Sequence, residues 1–228
     1  MAGSGGSARL HPDRGRDGVL RIVLTGGPGG GKTTAADLFR REIGERVVVV
    51  PESATILFAG GFPRAVDSFA RVATQRAIFE VQRNLEDVQA ALFPDRVQLC
   101  DRGTIDGAAY WPDGPDDFFT HMGSTHAEQL DRYDAVIFFE TAAVGGMAVE
   151  GGNRYRTETD AEAVELDARL RGLWSPHPHF YLVPHDRSFL RKITAGLAIL
   201  DRVVADGTAG APGAAGAAAD RATGGERR

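Results

Sequence analysis

Eight consecutive residues, Gly26-Gly27-Pro28-Gly29-Gly30-Gly31-Lys32-Thr33, constrain the fold of this chain more than any other feature. They match the spacing G-x-x-x-x-G-K-[ST] without a mismatch, an apolar β-rich run ends just before them at Thr25, and a helical pattern starts at Lys32. Strand, loop and helix in that order are what the spacing requires. The glycines let the backbone wrap a chain of phosphates, and their N–H groups and the helix N-terminus supply positive potential. Lys32 reaches the β and γ phosphates and Thr33 ligates Mg²⁺. Gly26, Gly27, Pro28, Gly29, Gly30, Gly31, Lys32, Thr33 and Thr34 are therefore the expected nucleotide contacts, with Lys32 at a solvent-open ligand site. The alternative, a glycine-rich surface turn, leaves Lys32 unexplained, although it is one of only two lysines in 228 residues.

Around this loop, short apolar runs alternate with longer helical patterns. Residues 19–25, 46–50, 97–100, 135–139 and 180–183 read as strands, and 32–43, 66–93, 162–173 and 187–204 as helices. The second helix carries Phe69, Val72, Phe79, Leu85 and Val88 among its apolar positions. Alternation of this kind predicts crossover connections and an α/β fold, a P-loop NTPase three-layer sandwich around a five-stranded, mainly parallel sheet. Ligands of such sheets bind beyond the carboxyl ends of the strands, so the residues after each strand are where chemistry is expected.

Residues 1–17 are glycine, serine and charge without periodicity and read as a disordered leader. Residues 207–228 are mostly alanine and glycine and read as a disordered tail, which leaves 18–206 as one nucleotide-binding domain. Hydrophobic residues make up 43% and charged residues 25%, near globular averages, and no apolar run approaches the roughly 20 residues of a membrane span. Residues 1–10 lack the apolar core of a signal peptide, and the single Cys100 excludes an internal disulfide, so a cytoplasmic location is expected. A net charge of −5 argues against general nucleic-acid binding.

Acids and arginines cluster where chemistry is expected. Glu52 follows the second strand, where a carboxylate faces the γ phosphate as a base for a substrate hydroxyl; the alternative is a carboxylate that satisfies the next helix's free N–H groups. Asp101 closes the third strand in the form of a Walker B site and would hold Mg²⁺ with Thr33, while Arg102 holds a substrate or phosphate, or only pairs with Asp106. Glu140, after the fourth strand, competes for the metal role, and Asp101 is preferred because P-loop kinase sheets usually place the third strand beside the first. Gly151 to Glu158 reads as a lid that delivers Arg154 and Arg156 to the phosphates; the bland reading is a solvated loop with a capping box from Thr157 to Asp160. His177-Pro178-His179 lacks further metal ligands and reads as the start of the last strand. Pro184-His185-Asp186, after that strand, is where a base would lie, and no Asn-Lys-x-Asp guanine signature is present.

Together with the phosphate loop, several segments carry a resemblance: Pro51-Glu52-Ser53-Ala54-Thr55, Asp101-Arg102-Gly103, Thr141-Ala142-Ala143, Asn153 with Arg156-Thr157-Glu158, Glu165-Leu166-Asp167, Trp174 and His177-Pro178. The chain resembles the NadR/TRPL-translocation-defect-like AAA-domain ATPases over nearly the whole expected domain. The resemblance implies a P-loop fold, nucleotide binding and a kinase-like site. The expected function is a phosphotransferase with ATP and Mg²⁺ as cofactors, GTP being the alternative triphosphate, and a small hydroxyl-bearing metabolite or nucleoside as acceptor. Lys32, Glu52, Asp101, Arg102 and Arg156 would carry the transfer. The competing reading is a nucleotide-dependent regulatory protein with weak hydrolysis.

Overall fold

A computed structural model describes residues 18–64, 67–145 and 159–209. The five apolar runs form strands β1 (Arg21–Thr25), β2 (Val47–Val50), β3 (Val97–Asp101), β4 (Ala135–Phe139) and β5 (Phe180–Val183). All pair in parallel in the order β2-β3-β1-β4-β5, with Ile22 opposite Leu99 and Val23 opposite Val136. The chain thus builds one side of β1 first and then the other, and β1 delivers its carboxyl end to the middle of the sheet.

Helices α1 (Lys32–Ile43), α2 (Ser53–Ala59), α3 (Ser68–Leu92), α4 (Pro115–His121), α5 (His126–Leu130), α6 (Asp160–Trp174) and α7 (Phe189–Ala209) fill the connections. Successive strand side chains point to opposite faces. Ile22, Leu24, Leu99 and Ile137 pack on Phe39 of α1 and on Ile193 and Leu200 of α7. Val23, Cys100 and Val136 meet Phe79 of α3, Phe118 of α4 and Trp174 of α6. Burial on both faces is why these strands read as unbroken apolar runs. None of the described helices is long and apolar enough to cross a membrane.

Three differences from expectation have physical causes. Helices α2, α4 and α5, of 7, 7 and 5 residues, are too short to display a 3.6-residue period, although Thr125 and Glu128 form a capping box that marks the start of α5. On α3, Phe79 is core but Phe69 is 82% exposed and Val88 is also exposed. The inward face of that helix instead carries Thr74, Gln75, Gln82 and Glu86, because it meets a buried polar network. Glu86 accepts from Arg132 Nη2 at 2.6 Å, Tyr133 Oη at 2.8 Å and Gln82 Nε2 at 3.1 Å. Last, α7 runs to Ala209, past the expected domain boundary at Asp206. Gly207 is buried against Leu20, where a Cβ would come within 2.6 Å of the leucine side chain, so the absence of a side chain serves packing. Residues 1–17 and 210–228 lie outside the described residues.

Candidate active site

Past Thr25 the backbone turns through Gly26 at φ 129°, a conformation that favours glycine. A Cβ there would lie 2.1 Å from the Phe139 carbonyl oxygen, and one on Gly30 would lie 2.6 Å from the same atom, so the loop rests directly on the end of β4. Gly31 precedes α1, which begins at Lys32. The Lys32 ammonium donates to the carbonyls of Gly26 at 2.9 Å and Gly27 at 2.8 Å. The residue is only 3% exposed, which corrects the expectation of a solvent-open lysine. The loop folds over the side chain, and its carbonyls take the place of water around the charge.

On the β3 side, Thr33 Oγ1 donates to Asp101 Oδ2 at 2.8 Å. The other oxygen, Asp101 Oδ1, is buried without a hydrogen-bond partner. A hydroxyl and a carboxylate with an unused oxygen are hard donors of the kind that suit Mg²⁺, which is usually held by one or two carboxylates plus substrate phosphates. The described residues contain no group of three or more His, Cys, Asp and Glu placed to hold a metal by themselves, and a site of this kind does not need one. Glu140 is engaged elsewhere. Its Oε2 accepts from His185 N at 2.8 Å, its Oε1 lies 3.7 Å from Arg171 Nη1, and its backbone carbonyl accepts from Lys192 Nζ at 2.5 Å.

Arg102 follows β3 with φ 71°, the one described non-glycine residue at positive φ. Such backbone costs of the order of 1–3 kcal/mol and persists only where the surroundings enforce it. Its amide donates to Leu24 O at 3.0 Å, extending the ladder with β1, and its guanidinium is held from both ends. Nε pairs with Glu52 Oε1, and Nη1 lies 3.1 Å from Asp106 Oδ2. Glu52 immediately precedes α2 but makes no side-chain cap to that helix; its second oxygen accepts from Thr55 Oγ1 at 2.5 Å. Of the two readings of Arg102, the structure shows the pairing with Asp106 and adds a second partner, Glu52, which bonds the guanidinium rather than the helix amides. A narrow cleft with a cavity volume of about 20 Å³ lies here, lined by Glu52, Phe79, Gln82, Arg102, Thr104 and Asp106 among others.

Sequence reasoning treated Asp106 only as a partner for Arg102. It also accepts from Thr25 Oγ1 at 2.8 Å and from Trp174 Nε1 at 2.6 Å, so it ties the end of β1 to α6 and to the arginine. The only local signal was its spacing four residues after Arg102. Asp167 has no sequence signal beyond the resemblance; its Oδ1 accepts from Gly27 N at 2.7 Å and Thr141 N at 2.9 Å.

Burial raises the Glu52 carboxyl, but the Arg102 guanidinium, the Thr55 hydroxyl and the Lys32 ammonium together hold it below the usual carboxylate range. Burial and the neighbouring Glu52 charge push Asp101 the other way, upward, against Lys32, Thr33 and Arg102. Two carboxylates beside one cluster of cations thus acquire opposite shifts, a common feature of functional sites. Burial lowers the Arg102 guanidinium, yet Tyr110, Glu52, Asp106 and Asp101 more than offset it and keep the group charged.

Arg154 and Arg156, with the expected lid from Gly151 to Glu158, lie outside the described residues. The capping box observed at the start of α6 joins Thr159 to Glu162, and Thr157 of the expected box lies outside the described residues. His177 Nε2 lies 2.8 Å from Tyr133 O, and Nδ1 accepts from His179 N at 3.1 Å, a structural arrangement that leads into β5. In comparison with known proteins, a family model described as an AAA domain matches residues 21–188, well over half of the chain. No curated protein matches it.

Proposed function

The chain belongs to the AAA-domain family of P-loop NTPases, nucleotide-binding proteins, and from that premise we propose a kinase-like phosphotransferase. It takes ATP with Mg²⁺ and transfers the terminal phosphoryl group to a small hydroxyl-bearing metabolite or nucleoside. The observation that carries this reading is the convergence of Glu52, Asp101 and Arg102 on the carboxyl ends of β2 and β3, with Glu52 and Arg102 ion-paired at a narrow cleft and Asp101 bonded to Thr33 of the phosphate loop. The resemblance to NadR-like proteins supports the same reading, as does the position of β3 next to β1. A cytoplasmic setting is part of the proposal and agrees with the buried, unpaired Cys100.

Thr33 and Asp101 would hold the Mg²⁺, whose charge neutralises the phosphate oxygens when bound. Lys32 supplies a further positive charge at the loop. Glu52 is ionised at neutral pH, so it is always in the form that accepts a hydroxyl proton, and it orients the acceptor oxygen for in-line attack. Arg102, fixed between Glu52 and Asp106, directs its permanent charge at the transferring group. Arg154 and Arg156, the expected lid arginines, would add charge at the transferring phosphate. Little bond-making falls to the protein itself; positioning and electrostatics do most of the work.

The test is a thermal-shift screen of ATP and GTP with and without Mg²⁺, followed by mass spectrometry of a nucleoside and metabolite pool incubated with the protein. A phosphorylated small molecule is the expected result. Tight binding with slow hydrolysis and no phosphorylated product would replace it with the regulatory reading.

A further inference from the structure

We infer that Asp167 is a positioning residue for the nucleotide, a buried carboxylate on α6 that holds the Gly27-Pro28 limb of the phosphate loop in its binding shape. It rests on the reading of this loop as the nucleotide site and extends that reading to a residue far away in sequence.

Leu166, Leu170 and Trp174 bury α6 against the sheet, and Asp167 is buried among them at 4% exposure. A carboxylate is an expensive group to bury unless it is well bonded. Here one oxygen, Oδ1, receives both the Gly27 amide at 2.7 Å and the Thr141 amide at 2.9 Å. Thr141 reaches the loop as well, its hydroxyl donating to Pro28 O at 2.5 Å. Two of these hydrogen bonds fasten the adjacent loop residues Gly27 and Pro28 to α6 and to Thr141 after β4, and the third ties the two anchors together. Gly27 fits this arrangement in one further respect: a Cβ there would stand 2.5 Å from Asp167 Oδ1. The missing side chain at that position makes room for a protein carboxylate. Burial raises the Asp167 carboxyl, while the Gly27 and Thr141 amides oppose it, as expected of a group held for its hydrogen bonds.

A loop fixed before the ligand arrives binds more tightly than one that must be ordered on binding. Outer partners that orient ligating groups in metal sites carry about 10- to 100-fold in affinity, and a loss of that size is expected for Asp167→Ala. In Asp167→Asn the amide oxygen still accepts both N–H groups, so binding stays close to wild type.

The experiment is calorimetric titration of the full chain with ADP and Mg²⁺, for wild type and both variants. It is run well below every melting point, where a role in global stability alone leaves affinity unchanged. Loss in the alanine variant and rescue by asparagine support the inference. Wild-type affinity in the alanine variant, or equal losses in both, overturns it. If Asp167→Ala does not fold, Thr141→Val tests the same brace, because it removes the hydroxyl that holds Pro28 and leaves the phosphate loop itself unchanged: weakened ADP binding supports the inference and unchanged binding overturns it. A wild-type chain that binds no nucleotide overturns the reading of the loop itself, and the inference with it.

Discussion

Asp101 ends β3 on one side of β1, and Glu140 follows β4 on the other, so both acids stand beside the strand that carries the phosphate loop. Their surroundings differ. Asp101 touches Thr33 and keeps one oxygen unpartnered, next to an ion pair of Glu52 and Arg102 and a narrow cleft. Glu140 meets a backbone amide, an arginine and a lysine, and its neighbour Asp167 meets two more amides. One flank leaves hydrogen-bonding capacity for a ligand, while the other uses its capacity to brace the loop. Position after a strand is thus not enough to identify a catalytic acid; what matters is whether the fold has already satisfied it.

The largest expected effect lies where both flanks meet. Lys32→Ala should abolish productive triphosphate binding, read by calorimetry with ATP and Mg²⁺, with the far-ultraviolet dichroism unchanged. Because the ammonium is buried under loop carbonyls, a simultaneous fall in melting temperature is also expected. Unchanged nucleotide affinity and turnover would remove the basis of the site.

Glu52→Gln addresses the chemical flank alone. ATP affinity should persist while transfer falls by roughly 10²- to 10⁴-fold, the usual contribution of a positioned acid or base. A rate within a factor of a few of wild type would reduce Glu52 to a partner of Arg102, and lost Mg²⁺ affinity would move it into the metal shell.

The two strand-end acids can be set against each other directly. Asp101→Asn should raise the Mg²⁺ requirement of nucleotide binding by about 10- to 100-fold. Glu140→Gln should leave that requirement unchanged and lower unfolding free energy by about 1 kcal/mol through a weakened hydrogen bond to His185. The opposite pattern would reverse the assignment of the two flanks.

Lys192, on the bracing side, gives an effect with a definite sign in pH. Burial lowers its ammonium to about 8 despite the nearby Asp167 and Glu140, against an ordinary lysine value of 10.5. Between those values the unfolded chain holds a proton that the folded chain has released. Stability arising from Lys192 therefore rises with pH across that window, and below it the full cost of the buried charge is present. Urea unfolding at several pH values should show this slope in wild type and a flatter one in Lys192→Met; parallel curves would contradict it.

Much of this architecture is legible without coordinates. All five strands appear as apolar runs because both faces of the sheet are covered, and α1 begins at the residue the motif predicts. The cleft is less legible, because its lining is drawn from distant segments, with Glu52 after β2, Ile78, Phe79 and Gln82 of α3, and Arg102 to Gly107 after β3. Asp106 and Asp167 resemble ordinary helix acids until their partners are known.

By itself, the sequence determined the five strands, the longer helices α1, α3, α6 and α7, the phosphate loop and the acids near it, since periodicity and motif spacing express contacts among residues close in the chain. Tertiary structure decided the strand order, the burial of Lys32 and the division between Asp101 and Glu140. The physical reason is range: Glu52 finds Arg102 across 50 residues, and Gly27 finds Asp167 across 140. Hydrogen-bonding capacity is settled by partners that distant, and only the folded chain brings them together.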